Sequence, residues 1–138
     1  MQEAAANFVV KVNEKEFKVQ KQILKDHSKV LKNLLDKNPN DEILQLTEVS
    51  EDVFAEVLNF MQTGNEPNDN IDPVEFFGAS CRLEIEALIP IAARILQAKV
   101  NPENALKVLN LCNKYKGHKQ LMAKAIEEFK KKNIPSTN

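Results

Sequence analysis

The sequence predicts an α+β fold in which a small mixed β-sheet is flanked by a cluster of α-helices. Three observations carry this. Residues Phe8 to Lys18 alternate as two short extended runs, a third short run stands at Ile43 to Leu46, and nearly everything after Ser50 repeats at helical spacing.

The first run, Phe8-Val-Val-Lys-Val12, is almost entirely apolar and so belongs at the centre of the sheet. It is joined to the second through Asn13-Glu-Lys, which suggests a hairpin. From Gln20 to Leu35 the apolar residues Ile23, Leu24, Val30, Leu31, Leu34 and Leu35 switch to helical spacing. Ser28 is placed to divide two short helices as a cap. Asn38-Pro39-Asn40-Asp41 is a loop, and Ile43-Leu44-Gln45-Leu46 returns to the sheet.

Ser50 caps a helix whose stripe is Val53, Phe54, Val57, Leu58 and Met61, ending near Gly64. Asp72-Pro73-Val74-Glu75 combines an N-cap acid, a first-turn proline and a glutamate three residues past the cap, a strong start for a helix through Phe76 to Arg82. Leu83, Ile85, Leu88, Ile91, Ala92, Ile95 and Leu96 supply a further buried helix, which must begin within a few residues before Pro90. A capped helical hairpin closes the chain. Asn101 is its N-cap, Pro102 the first helical residue, and Ala105, Val108, Leu109 and Cys112 the first apolar stripe. Gly117 offers the left-handed conformation that ends the first helix; the second carries Leu121, Met122, Ala125, Ile126 and Phe129 and stops before Pro135. Two helices this short must bury their stripes on each other and on something upstream.

At 138 residues the chain suits one compact domain with a helical appendage, and no solenoid repeat emerges. The net charge of -1 leaves no bulk field favouring nucleic acid or anionic lipid. No apolar run approaches a membrane span, and Met1-Gln-Glu-Ala-Ala-Ala is too short and too acidic for a secretory signal. Cys81 and Cys112 lie among apolar residues, the context of buried free thiols in a reducing compartment, so an intracellular protein, cytoplasmic or nuclear, is expected.

Chemistry-bearing clusters are sparse. Cys81, Cys112, His27 and His118 show no metal-ligand spacing, so neither a metal nor another cofactor is expected. A cysteine-dependent enzyme would need an activated Cys81, which lacks a Gly-rich elbow in a chain of only three glycines. Lys130, Lys131 and Lys132 end a helix, where cations meet the negative end of the macrodipole, and read as a solvated terminus rather than a nucleic-acid tract. Lys11, Lys15 and Lys18 read as edge-strand protection.

The element order resembles the BTB/POZ domain. The likeness rests on Lys15-Glu-Phe-Lys-Val-Gln-Lys-Gln-Ile-Leu24, Ser28, Val49-Ser-Glu-Asp-Val-Phe54 and Phe60-Met-Gln-Thr-Gly64. The terminal hairpin, with Pro102-Glu-Asn-Ala105, is similar to the 3-box or BACK-like helical extension of MATH-BTB adaptors such as the speckle-type POZ protein. The resemblance implies a BTB/POZ domain over residues 7–99 and the extension over 101–133. It further implies a non-enzymatic interaction scaffold, serving as a substrate-adaptor module for a cullin-3 ubiquitin ligase or, alternatively, as a homo- or hetero-oligomerisation module in a chromatin or cytoskeletal protein.

On that resemblance the cullin-contact residues are Thr63, Ile71, Asp72, Val74 and Glu75, the last four in shifted register relative to the family motif; Ile71 reads equally as a hydrophobic staple beside the core anchors Phe76 and Phe77, and its exposure decides between the two. The homodimer interface would involve Ile23, His27 and Val30. Two departures stand out. Asn7 and Gln20 replace the Asp and His that the family usually has, leaving two amides able to bond each other. Lys25, Lys29 and Lys32 crowd the first helices, where like charges facing across a two-fold axis would weaken a dimer.

Overall fold

A computed structural model describes residues 8–133; Asn7, and with it the Asn7–Gln20 pair, and the expected stop at Pro135 lie outside them. Within these residues β1 (Phe8–Val12) and β2 (Lys15–Val19) form the hairpin, followed by α1 (Lys21–His27), α2 (Lys29–Lys37) and β3 (Ile43–Leu46). Five more helices complete the fold: α3 (Glu51–Thr63), α4 (Pro73–Arg82), α5 (Ile89–Lys99), α6 (Ala105–Lys114) and α7 (Lys119–Asn133).

The sheet has the order β2-β1-β3, with β1 antiparallel to β2 and parallel to β3. The apolar first strand is therefore central, as its composition requires. Val12 pairs with Lys15, so the turn is Asn13-Glu14, and Asn13 takes φ 54, a left-handed value that asparagine tolerates. Because side chains alternate, Phe8, Val10 and Val12 point inward with Val19, while Val9, Lys11, Ile43 and Gln45 lie on the outer face. Lys15 and Lys18 do lie on an edge strand. Lys11 does not: it stands on the central strand's outer face.

Local chemistry sets the helix boundaries. Ser28 ends α1 and starts α2; its buried hydroxyl donates to Leu83 O at 2.5 Å and accepts from Leu31 N at 3.0 Å. Gly64 ends α3 at φ 78, its N–H returning to Phe60 O at 2.7 Å. The core runs from the sheet through Phe54, Phe76 and Phe77 to Leu96 and Leu121, so the terminal hairpin shares the core of the mixed domain. Each fully buried aromatic contributes roughly 2–3 kcal/mol of transfer free energy. Phe17 packs edge-on against Phe54 at 5.1 Å, and His118 against Phe77 at 5.0 Å. α7 lies on α5 and α6, and α6 also touches α4.

Several expected boundaries shift. Leu83, Ile85 and Leu88 are buried but form the connection into α5, turned by Glu84 at φ 51, and Pro90 sits in the first turn of α5 where its missing N–H is harmless. The first helix of the hairpin begins at Ala105, not Pro102. Asn101 Oδ1 accepts from the N–H groups of Glu103 and Asn104 at 2.9 Å each, and Asn104 Oδ1 accepts from Asn101 N at 2.9 Å, so the two asparagines close a turn ahead of the helix. That helix ends at Lys114, with Tyr115 N returning to Leu111 O at 2.7 Å. Gly117, at φ 96, turns the connection rather than capping the helix. Ile126, expected in the buried stripe, is 40% exposed, on a face of α7 that none of the described elements covers.

Candidate functional site

The five residues expected at a partner surface fall into three environments. Thr63 is exposed at the end of α3, where its hydroxyl donates to Asn59 O at 2.7 Å and accepts from Asn65 N at 3.1 Å. It terminates a helix by local side-chain bonding. Ile71 is 8% exposed and part of the core; with Phe76 four positions past the Asp72 cap also buried, it occupies the place of a hydrophobic staple. Its apolar character is consumed by folding.

Asp72, Val74 and Glu75 do come together. Asp72 caps α4, Oδ1 accepting from Val74 N at 3.0 Å and Glu75 N at 3.2 Å. Glu75 does not reach back to its own cap. Instead Oε2 accepts the N–H of Ser50 at 3.0 Å, while the Ser50 hydroxyl accepts from Val53 N at 3.3 Å. The glutamate of a capping box is thus supplied to α3 from α4, tying the starts of the two helices together.

These three residues form one wall of a cleft of about 640 Å³ whose other wall is α6. Gly78 faces the α6 residue Leu111, Lys107 and Lys114 stand opposite, and Arg82 lies at the cleft while donating to Glu48 O at 2.7 Å. The mixed charges over an apolar floor suit a polypeptide partner. Sequence reasoning missed the α6 contribution, because α6 lies about 30 residues further along the chain and no local signal joins it to α4.

The loop after Gly64 is fastened to α5. Arg94 pairs with Glu66 at 2.6 Å, Lys99 Nζ donates to Asp69 O at 3.0 Å, and Asn68 N donates to Glu56 at 3.3 Å. The surface between α3 and α4 is therefore preorganised by exposed polar contacts rather than by a strand.

At the other candidate surface, Ile23, His27 and Val30 are each half-buried, and His27 Nδ1 lies 2.9 Å from Ile23 O. The lysines expected to oppose a dimer are compensated within the chain. Lys25 (2.8 Å) and Lys32 (2.9 Å) both bind Asp36, holding its carboxyl down to about 2, and Lys29 pairs with Glu86. Elsewhere Glu128, its side chain almost buried, is held below the usual carboxylate range by Lys131 and then Lys124.

Both cysteines are free and buried. Burial, and then the neighbouring Cys112, push the Cys81 thiol up to about 12, and burial raises Cys112 as well. At neutral pH they are protonated thiols without nucleophilic character. Among the described residues no cluster of His, Cys, Asp and Glu is arranged to hold a metal, and no helix is long and apolar enough to cross a membrane.

A three-stranded sheet in this order, wrapped by paired helices, can be compared with known folds. The sequence matches the family model "BTB/POZ domain" over residues 1–100. The chain belongs to the BTB/POZ family. Solved BTB domains agree with it in fold. The BTB (Tramtrack and Bric a brac) domain of human gigaxonin superposes with a TM-score of 0.59 at 21% identity, over 64% of this chain and 75% of that one. The BTB domain of zebrafish PATZ1 does so with a TM-score of 0.60 at 19% identity, over 67% of this chain and 76% of that one. No curated protein matched the sequence. A BTB domain is a protein–protein interaction module, and that coarse function applies to this chain.

Proposed function

We propose that this BTB/POZ chain is a substrate-adaptor module that docks on a cullin-3-type scaffold. The observation that carries the reading is the terminal hairpin: α6 packs beside α4 and builds, with Asp72, Val74 and Glu75, the cleft that a scaffold helix or strand would enter. On this reading the BTB/POZ domain spans residues 7–99, and 101–133 is a 3-box or BACK-like extension of the kind found in MATH-BTB adaptors. The end of the family match at residue 100 and the Asn101 turn both support that division.

Among the expected contact residues Thr63 and Asp72 are exposed and Val74 is half-buried, whereas Ile71 and Glu75 act through the fold; Lys107, which the α6 wall adds, is exposed as well. Lys107→Glu should weaken a complex with the cullin-3 N-terminal domain by roughly tenfold, about 1.4 kcal/mol, with the melting temperature unchanged. Isothermal titration of the purified partners checks this, and an unchanged affinity removes the α6 wall from the contact surface.

A second reading is oligomerisation without a ligase, in a chromatin or cytoskeletal protein. It is favoured by the apolar surface left on α1 and α2, where Ile23 and Val30 are half-buried and Leu34 is 37% exposed, and by the internal pairing of the nearby lysines. Ile23→Asp combined with Val30→Asp would convert a dimer to a monomer in light scattering. A variant that stays dimeric eliminates this face.

A further inference from the structure

We propose a second docking site, for an acidic polypeptide segment bearing an apolar anchor, in the groove between α5 and the start of α7. This groove encloses about 930 Å³ and lies on different residues from the α4–α6 cleft, so it stands or falls independently of the cullin reading. Its volume is within the range of specific ligand pockets.

The groove exists because of small residues. α5 turns Leu88, Ala92 and Leu96 into the core, leaving Ala93 and Ala98 on the side that faces the α6–α7 connection. Gly117, without a side chain, turns that connection at φ 96, so the depression between the two helices stays unfilled. Ile89 and Leu121 supply further apolar floor, a seat for one leucine- or phenylalanine-sized side chain.

Charge selects the occupant. Arg94, Lys119 and Lys124 line the groove and no Asp or Glu does, in a chain whose net charge is -1. Arg94 and Lys124 are each shared with one acid outside the groove lining, Glu66 and Glu128, while Lys119 has no ionic partner among the described residues. Lys116 adds to the positive charge along the connecting segment. The first turn of α7 holds no acidic residue, so the positive end of its dipole adds to the lysines rather than being neutralised. Gln97 and Gln120, also lining the groove, are amides suited to bonding a peptide backbone. A groove with an apolar floor, a cationic rim and amide hydrogen-bonding groups matches an acidic segment with one buried anchor better than it matches nucleic acid, for which it has no exposed aromatic to stack on.

The test uses the purified chain and two fluorescein-labelled peptides of about a dozen residues sharing the same leucines, one with Asp and Glu at the remaining positions and one with Lys, read by fluorescence anisotropy. The acidic peptide should bind at least roughly tenfold tighter than the lysine peptide, and weaken as salt rises from about 50 to about 300 mM. Lys119→Glu at the rim and Ala98→Trp in the groove should each reduce its affinity by roughly tenfold or more without moving the thermal midpoint. Since Lys119 and Ala98 are exposed, the variants should fold, and Lys119→Glu alone suffices if the tryptophan does not. Equal affinity for both peptides, or binding indifferent to Lys119→Glu, overturns the proposal. So does preferential binding of an oligothymidylate or of phosphatidylserine vesicles, which would mean a generic anion surface.

Discussion

Replacing Glu75 by alanine should loosen α3 as well as α4, because its carboxylate is the acceptor for the Ser50 N–H at 3.0 Å in a partly buried setting. A backbone donor losing a charged acceptor is left to water that reaches it poorly, which costs about 1.5–3 kcal/mol in favourable cases. Partial exposure of the pair and partial replacement by solvent bring the expected loss to about 1–2 kcal/mol. For a domain of this size that is a fall of roughly 3–8 °C in melting temperature. Glu75→Gln keeps an oxygen acceptor and should lose about half as much. Urea denaturation followed by circular dichroism reads both, with the midpoint falling and the slope constant. A loss under about 0.3 kcal/mol for the alanine variant, or equal damage from both variants, would refute the shared cap. Reduced partner binding by Glu75→Ala must then be measured well below the new melting temperature, since the substitution also weakens the fold that presents the cleft.

Other consequences follow from the same geometry. Ile71→Ala should cost about 2–4 kcal/mol in the same assay, and Ile71→Arg should prevent folding, because the side chain is in the core rather than on the docking surface. Gly78→Ala should stabilise by about 0.5–1 kcal/mol, since the added methyl meets Leu111 at an ordinary 3.6 Å and removes a glycine from a helix interior; a destabilised variant would show that α4 and α6 are closer than this. Cys81, a protonated buried thiol, should react with a thiol reagent only as the chain unfolds, and rapid native-state labelling would reopen the question of a cysteine nucleophile. Asp36, depressed to about 2 by Lys25 and then Lys32, contributes stability that is present above the unfolded carboxylate range near pH 4 and lost as pH falls through about 2. Asp36→Asn should therefore flatten the acid limb of a stability-versus-pH curve over that window, and an unaltered limb would contradict the pairing.

The parts of the fold legible in the sequence are those punctuated by local chemistry. Ser28, Ser50, Gly64 and Asp72 mark helix ends through bonds to residues a few positions away, so their roles can be read from spacing alone. Asn101 shows how that reading slips: its side chain accepts two N–H groups as a cap would, yet the turn it closes does not propagate, and the helix waits for Ala105. Leu83, Ile85 and Leu88 misled because buried turn residues and buried helix residues share a composition; only the positive φ of Glu84 separates them. The candidate site was half legible. Asp72, Val74 and Glu75 were adjacent in sequence, but the Ser50 partner of Glu75 is 25 residues away and the α6 wall about 30, distances at which periodicity carries no information. Ile71 stayed open between partner contact and staple because hydrophobicity beside a polar loop has the same signature in both, and its burial decides for the staple.

The adaptor reading is tested most directly by the mass of the purified chain in solution, alone and mixed with the cullin-3 N-terminal domain, by light scattering coupled to size exclusion. The account predicts a new species whose mass equals the sum of the two partners and which Lys107→Glu diminishes. Two unshifted peaks at micromolar concentrations of both proteins would contradict it.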